Sequence, residues 1–205
     1  MNRFEFNRAW SDLHGGVEIQ GAVSLWLRIS FVIARVLSFL RITPNFVTTL
    51  GLVSAIAIYF TSYTSQLLFL VIFSLICDGV DGSLAIYRNR ASRGGELYDA
   101  LADRISEAFW LMGATFVGVP VRWAIAIWIL ASTQEYARAR LASLGYAEIG
   151  VITIGERPVR AIFMAILLII FIFAEQLMAP VYWAYFVVTL IAFVQLMISA
   201  RRVLQ

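Results

Sequence analysis

The sequence predicts an all-α integral membrane protein, with about six transmembrane helices preceded by an N-terminal amphipathic helix on the membrane surface. Three observations carry that prediction. Of 205 residues, 61% are hydrophobic and 14% charged, whereas charged residues make up about a quarter of a soluble domain. The apolar stretches are continuous, without the period-two alternation of barrel strands, and backbone groups in lipid must be bonded within their own segment. The 16 basic residues are all arginine, and most fall in turns on one side of the expected bundle. The same composition excludes a disordered chain, a coiled coil, a disulfide scaffold (there is a single cysteine) and a soluble nucleic-acid binder. With no lysine, Schiff-base chemistry is excluded as well.

Taken in order, the N-terminal MNRFEFNRAWSDLHGGVEIQ lacks the basic start, apolar run and cleavage site of a signal peptide and is expected to be retained. Leu25 to Leu40 sets Arg28 and Arg35 seven residues apart on one helical face, the pattern of a helix lying in the membrane interface. Apolar segments follow at 46–60, 66–86, 97–118, 121–142, 159–175 and 181–200. At about 1.5 Å per residue, several are long enough to cross ~30 Å of hydrocarbon. No linker divides the chain. Residues 1–205 therefore read as one membrane domain, 1–43 forming a cytoplasmic N-terminus with the interfacial helix and 44–205 the transmembrane bundle. With the N-terminus in the cytoplasm, Arg88, Arg90, Arg93, the run from Arg138 to Arg160, and Arg201 with Arg202 share that side, and only Arg122 falls outside. Both termini are then cytoplasmic in a multi-pass protein of the cell membrane.

The chemistry concentrates in CDGVDGSLAIYRNRASRGGELYDALADRISE, where Asp78, Asp81, Asp99 and Asp103 lie at or within apolar helices. A carboxylate at membrane depth is costly and is tolerated when it faces a bundle interior or watery cavity with a partner. Spacings of three and four put each pair on one face, and the connecting turn folds the two helices antiparallel so that all four acids can meet. Four crowded carboxylates repel unless cations intervene, and an oxygen-only ligand set suits hard divalent ions. A two-metal site, the arrangement common in displacements at phosphorus, resolves the repulsion. Glycines in the same stretch leave room for a phosphate to approach the backbone.

These residues resemble the signature of the CDP-alcohol phosphotransferases (CDP-alcohol phosphatidyltransferases). The family pattern Asp-x-x-Asp-Gly-x-x-Ala-Arg, eight residues, Gly-x-x-x-Asp-x-x-x-Asp runs here through Asp78, Asp81, Gly82, Ala85, Gly95, Asp99 and Asp103. One position departs, because Ile86 stands where the family has arginine. The resemblance implies that all four aspartates hold two Mg2+ ions, with Mn2+ the alternative, on the pyrophosphate of a CDP-linked lipid such as CDP-diacylglycerol. It also makes Asp103 the base that takes the acceptor hydroxyl's proton, CMP being released. Asn45 and Thr48, in a Pro-Asn-x-x-Thr element, with Gly82, Ala85, Ser92 and Gly95, would contact the donor. At Ile86 the family's donor-holding arginine is missing, so Arg88 or Arg90 compensates, donor affinity falls, or the chain is an inactive homologue.

Further on, Tyr-x-Arg-Ala-Arg and Glu-Arg-Pro-x-Arg resemble the phosphatidylinositol phosphate synthases of actinobacteria and their archaeal relatives. That branch implies an inositol phosphate acceptor whose phosphate meets Arg138, Arg157 and Arg202, with Arg140 and Arg160 nearby, and a homodimer. Glycerol 3-phosphate, giving a phosphatidylglycerophosphate synthase, is the alternative acceptor; no nucleic-acid partner is expected. Topology alone would also place arginines there. An ion or proton transporter also keeps acids in its bundle, but the internal repeats of such proteins are absent here. Cys77 reads as a packing residue, His14 as a lone histidine with no second ligand, and Arg104 with Glu107 as partners of each other or of the acid cluster.

Overall fold

A computed structural model describes residues 1–13, 16, 18–61, 64–146 and 153–205. His14 lies outside the described residues. The regular elements described are all helical: α1 (Arg3–Leu13), α2 (Gly21–Phe39), α3 (Pro44–Ala57) running into a 3-10 turn at Ile58–Phe60, α4 (Thr64–Tyr87), α5 (Arg93–Phe116), α6 (Val121–Ser143), α7 (Arg157–Phe173), and, after a 3-10 turn at Glu175–Leu177, α8 (Met178–Leu204). The six expected apolar segments coincide with α3 to α8 to within a few residues. Helix α1 was not expected, since its sequence is polar. It starts on a reciprocal cap in which Asn2 N–H donates to Glu5 Oε2 at 2.8 Å and Glu5 N–H donates to Asn2 Oδ1 at 2.9 Å.

Among the described residues, two stretches are long and apolar enough to cross a membrane, Ser65–Tyr87 and Glu175–Leu204. A third candidate, Val23–Phe39 with Pro44–Phe60, is bent by 111° at its break. Helices α5 and α6 are of comparable length but carry charges along them, five of α5's falling between Glu96 and Glu107, and α7 has 17 residues.

The chain divides into two compact units, Met1–Ala57 with Ile72–Ser106 and Ile58–Val71 with Glu107–Gln205. In the first, Ala34, Val47, Cys77, Val80 and Leu84 form the core, with Trp26, Leu37 and Tyr87 packed on it. Arg28 and Arg35 stay exposed on α2 beside exposed Leu25, Val32 and Val36, so that helix has an outer face both apolar and basic. Gly51 lets α3 approach α4 closely: a Cβ there would lie 3.0 Å from Cys77 Cβ and 3.3 Å from the Ser74 carbonyl. Helices α2 and α4 both end in Schellman motifs without glycine. Arg41 (φ 62°) and Asn89 (φ 51°) take the left-handed position. Ile42 N–H then bonds to Leu37 O at 3.0 Å and Arg90 N–H to Ala85 O at 2.9 Å. Asparagine tolerates this conformation; arginine does not do so readily, and the turn it sits in is latched by Arg88, whose Nη1 donates to Ile42 O at 2.7 Å.

The second unit is organised around a buried arginine. Arg160, 1% exposed, donates from Nε to Glu107 Oε1 at 2.5 Å, from Nη1 to Gly155 O at 2.7 Å and from Nη2 to Glu135 Oε1 at 3.3 Å. One planar guanidinium thus joins α5, α6 and the entry to α7, and Glu107 is itself 1% exposed. Helix α8 packs along α6 and α7, with Tyr185 stacked on Phe163 at 5.2 Å between ring centroids.

Two outcomes follow from this packing. Replacing Gly51 by leucine should destabilise the fold by about 1–3 kcal/mol through overpacking, read as a lowered melting temperature in detergent. Glu107→Gln should cost more, about 3–5 kcal/mol, because it removes the buried guanidinium's nearest charge partner and leaves only the longer contact to Glu135, whereas Glu5→Gln at the exposed first turn of α1 should leave the melting temperature nearly unchanged.

Candidate active site

Pro44 opens α3 one residue after Thr43, whose hydroxyl accepts the Phe46 N–H at 3.3 Å, so Asn45 and Thr48 emerge from a capped first turn. Thr48 Oγ1 donates to Asp81 Oδ2 at 2.5 Å, and Gly82 N–H donates to Asp81 Oδ1 at 2.6 Å. Asp81 is buried to 3% exposure, and these two bonds fix its carboxylate while leaving each oxygen further acceptor capacity. On α5, Ser92 is the N-cap: its hydroxyl accepts Gly95 N–H at 3.1 Å and its carbonyl accepts Glu96 N–H at 2.9 Å. A Cβ on Gly95 would lie 3.1 Å from Ser92 Oγ and 3.4 Å from Asn45 Oδ1, so glycine lets α5 and α3 close up here. Tyr98 and Thr49 bridge the same two helices, their hydroxyls 2.8 Å apart.

Asp78, Asp99 and Asp103, all half-buried, each offer a carboxylate oxygen, and these oxygens lie within 4.8 Å of one another. Such proximity of anionic oxygens fits a divalent cation, which is the usual way for like charges to be held so close. Arg104, 3.8 Å from Asp103 through Nη2, adds a positive charge at the edge of this group. Asp99 and Asp81 face a cavity of about 520 Å³. Its wall includes every residue that the sequence pointed to for the donor: Asn45, Thr48, Gly82, Ala85, Ser92 and Gly95. A Cβ on Gly82 would meet nothing within 4 Å, so the backbone there is open to a ligand. Leu13, from the unexpected α1, also reaches the wall, together with Ile86, Arg90, Arg93 and Glu96.

The arginines expected to meet the acceptor lie in the second unit. Arg138 pairs with Glu156 and donates from Nη2 to Thr153 Oγ1 at 3.2 Å. Burial raises the Glu156 carboxyl, and hydrogen bonds from Arg138 and from Thr153 outweigh this and hold it below the usual carboxylate range. Arg157 begins α7 with its guanidinium 5.7 Å from the Trp110 ring centroid. Arg140 and Arg202 are exposed, Arg140 donating to Ser143 Oγ at 3.3 Å, and Arg160 is the buried guanidinium described above. Sequence reasoning missed the acids that hold these arginines. Glu107 pairs with Arg160 across 53 residues, a separation at which spacing gives no signal. Thr153-x-x-Glu156 beside Arg157 was the one local hint, Thr153 N–H donating to Glu156 Oε1 at 2.7 Å.

Comparison with known proteins gives this geometry its context. The archaetidylinositol phosphate synthase of Pyrococcus horikoshii is 33% identical over 162 residues, spanning 76% of this chain and 85% of that protein. The phosphatidylinositol phosphate synthase of Cutibacterium acnes is 27% identical over 144 residues, 64% of this chain and 70% of that protein. Among solved structures, the phosphatidylinositol phosphate synthase of Mycobacterium tuberculosis with CDP-DAG bound superposes with a TM-score of 0.69 at 26% identity, covering 84% of this chain and 94% of that one. The same enzyme in complex with manganese and citrate gives a TM-score of 0.69 at 25% identity, with 83% and 88% covered. Residues 28–200 match the CDP-alcohol phosphatidyltransferases throughout, and the chain belongs to that family.

Proposed function

We propose that this membrane enzyme transfers a phosphatidyl group from CDP-diacylglycerol to the hydroxyl of inositol phosphate, releasing CMP and forming phosphatidylinositol phosphate. The observation that carries the reading is the convergence of Asp78, Asp99 and Asp103 within 4.8 Å, with Asp99 and the fixed Asp81 on the wall of a cavity large enough for a nucleotide. The four aspartates would hold two Mg2+ ions, which when bound neutralise the donor's pyrophosphate and polarise phosphorus. Thr48 and Gly82 hold Asp81 in one orientation before any ligand arrives, which lowers the cost of assembling the site. The walls at Asn45, Gly82 and Gly95 take the donor phosphates against backbone and small side chains. Asp103 accepts the proton of the acceptor hydroxyl, whose oxygen bonds to the lipid-linked phosphorus as the bond to the CMP oxygen breaks.

The acceptor's own phosphate is assigned to Arg138, Arg157 and Arg202, with Arg140 adding field and Arg160 acting from its buried pair. Support for inositol phosphate comes from the names that relatives in two domains of life share despite their different lipids. The same proposal includes six spans built from α3 to α8, an α2 lying in the interface, a cytoplasmic active site with both termini on that side, one catalytic membrane domain over residues 1–205, and a homodimer. The arginine distribution supports the orientation, and the exposed apolar and basic face of α2 supports its interfacial position.

Purified protein given CDP-diacylglycerol and Mg2+ should release CMP with inositol phosphate and not with free inositol; release only with glycerol 3-phosphate would reassign the acceptor. In that assay Asp103→Asn should lower turnover by about 10²–10⁴-fold while the protein remains folded, and full activity would remove Asp103 from its role as base. Arg157→Ala should raise the acceptor KM by about tenfold or more and the donor KM far less, whereas equal shifts in both would return Arg157 to a topological role.

A further inference from the structure

The cavity wall poses a charge problem at Ile86. This residue contributes an apolar side chain to a surface that also carries Asp81, Glu96 and Asp99, so the position facing the donor supplies no cation of its own. Two arginines follow within one turn, and the structure separates them. Arg88 is committed elsewhere: its guanidinium donates to the Ile42 carbonyl at 2.7 Å and latches the turn between α2 and α3. Arg90 is different. Asn89 ends α4 in the left-handed conformation, so the chain folds back, and Arg90 N–H bonds to Ala85 O at 2.9 Å while Asn89 N–H bonds to Ile86 O at 3.0 Å. The motif thereby anchors Arg90 against the 85–86 turn, and Arg90 lines the same cavity as Ile86. Among the described residues, no carboxylate lies in ion-pair distance of Arg90, and it is solvent-exposed at the cavity rim.

We infer that Arg90 is the residue that binds the pyrophosphate of the nucleoside-diphosphate donor in this chain, its guanidinium delivered from the helix terminus to the place left apolar by Ile86. The inference rests on the cavity being the donor site of the proposed function. An arginine forks onto two phosphate oxygens at once, which a metal-neutralised pyrophosphate still offers on its outer edge. Arg93 shares the wall but starts α5, three residues from Glu96 on the same helix, and lacks the tie to residues 85 and 86.

The test is binding of CDP with Mg2+ to the full-length protein in detergent, by calorimetry, so that it does not depend on turnover. Arg90→Ala should weaken CDP binding about tenfold with the melting temperature unchanged, Arg90→Lys should keep part of the affinity, and the double variant Ile86→Arg with Arg90→Ala should regain it. Unchanged affinity in Arg90→Ala, or no recovery in the double variant, would overturn the assignment, as would a wild-type chain that binds no CDP. Arg90-dependent CDP binding without any CMP release would leave this inference standing and reject the proposed reaction instead.

Discussion

The rest of the first unit depends on holding Asp78, Asp99 and Asp103 within 4.8 Å of one another on apolar helices. Charges of one sign so close in a poorly polarisable setting repel by several kcal/mol, and nothing in helix propensity offsets that. The neighbouring elements read as the means of enforcing it. Gly51 and Gly95 bring α3 against α4 and α5, Tyr98 ties to Thr49, and Ser92 fixes the first turn of α5. Asp81 is handled separately, by burial and two donors on its carboxylate.

Helix ends do as much in this fold as helix faces. Among the described residues the chain turns through Schellman motifs after α2, α4, α5 and α6, with Gly118 and Gly145 at the last two and Arg41 and Asn89 at the first two. Of the two that lack glycine, the one after α4 gives Ala85, Ile86 and Arg90 to the cavity wall. A strained conformation persists only where its surroundings over-determine it, and Arg88 supplies that constraint by fastening Ile42. The turn that follows α4 brings Arg90, four residues on from Ile86, to the same cavity wall.

Much of this was legible beforehand for a definite reason. Long apolar runs mark α3 to α8, and acids at spacings of three and four on neighbouring helices leave few arrangements other than convergence. The six small or polar residues expected at the donor fall on one cavity because helix periodicity brings each pair to one face. Helix α1 was missed because hydropathy is silent on a polar helix; the signal present was Asn2-x-x-Glu5, a reciprocal cap. The partners of the arginines were missed for a deeper reason. Arg160 meets Glu107 across 53 residues and Glu135 across 25, and such pairs are products of the fold, invisible to any local window. Arg104 lies 3.8 Å from Asp103 of the acid cluster, one of the two pairings that its spacing allowed.

The choice of arginine over lysine at Arg160 follows from the same physics. An ammonium buried as Arg160 is would lose its proton far more readily than a guanidinium, leaving Glu107 as an uncompensated charge, and it lacks the planar fork that reaches Glu107, Gly155 and Glu135 at once. Near the donor, permanence of charge matters for another reason. A pyrophosphate approaching carboxylates is repelled unless every cation on its path stays charged, so a side chain whose proton is lost on desolvation would fail at the moment the ligand excludes water. A guanidinium at Arg90 would keep its charge through that desolvation, and a lysine in its place would do so only in part.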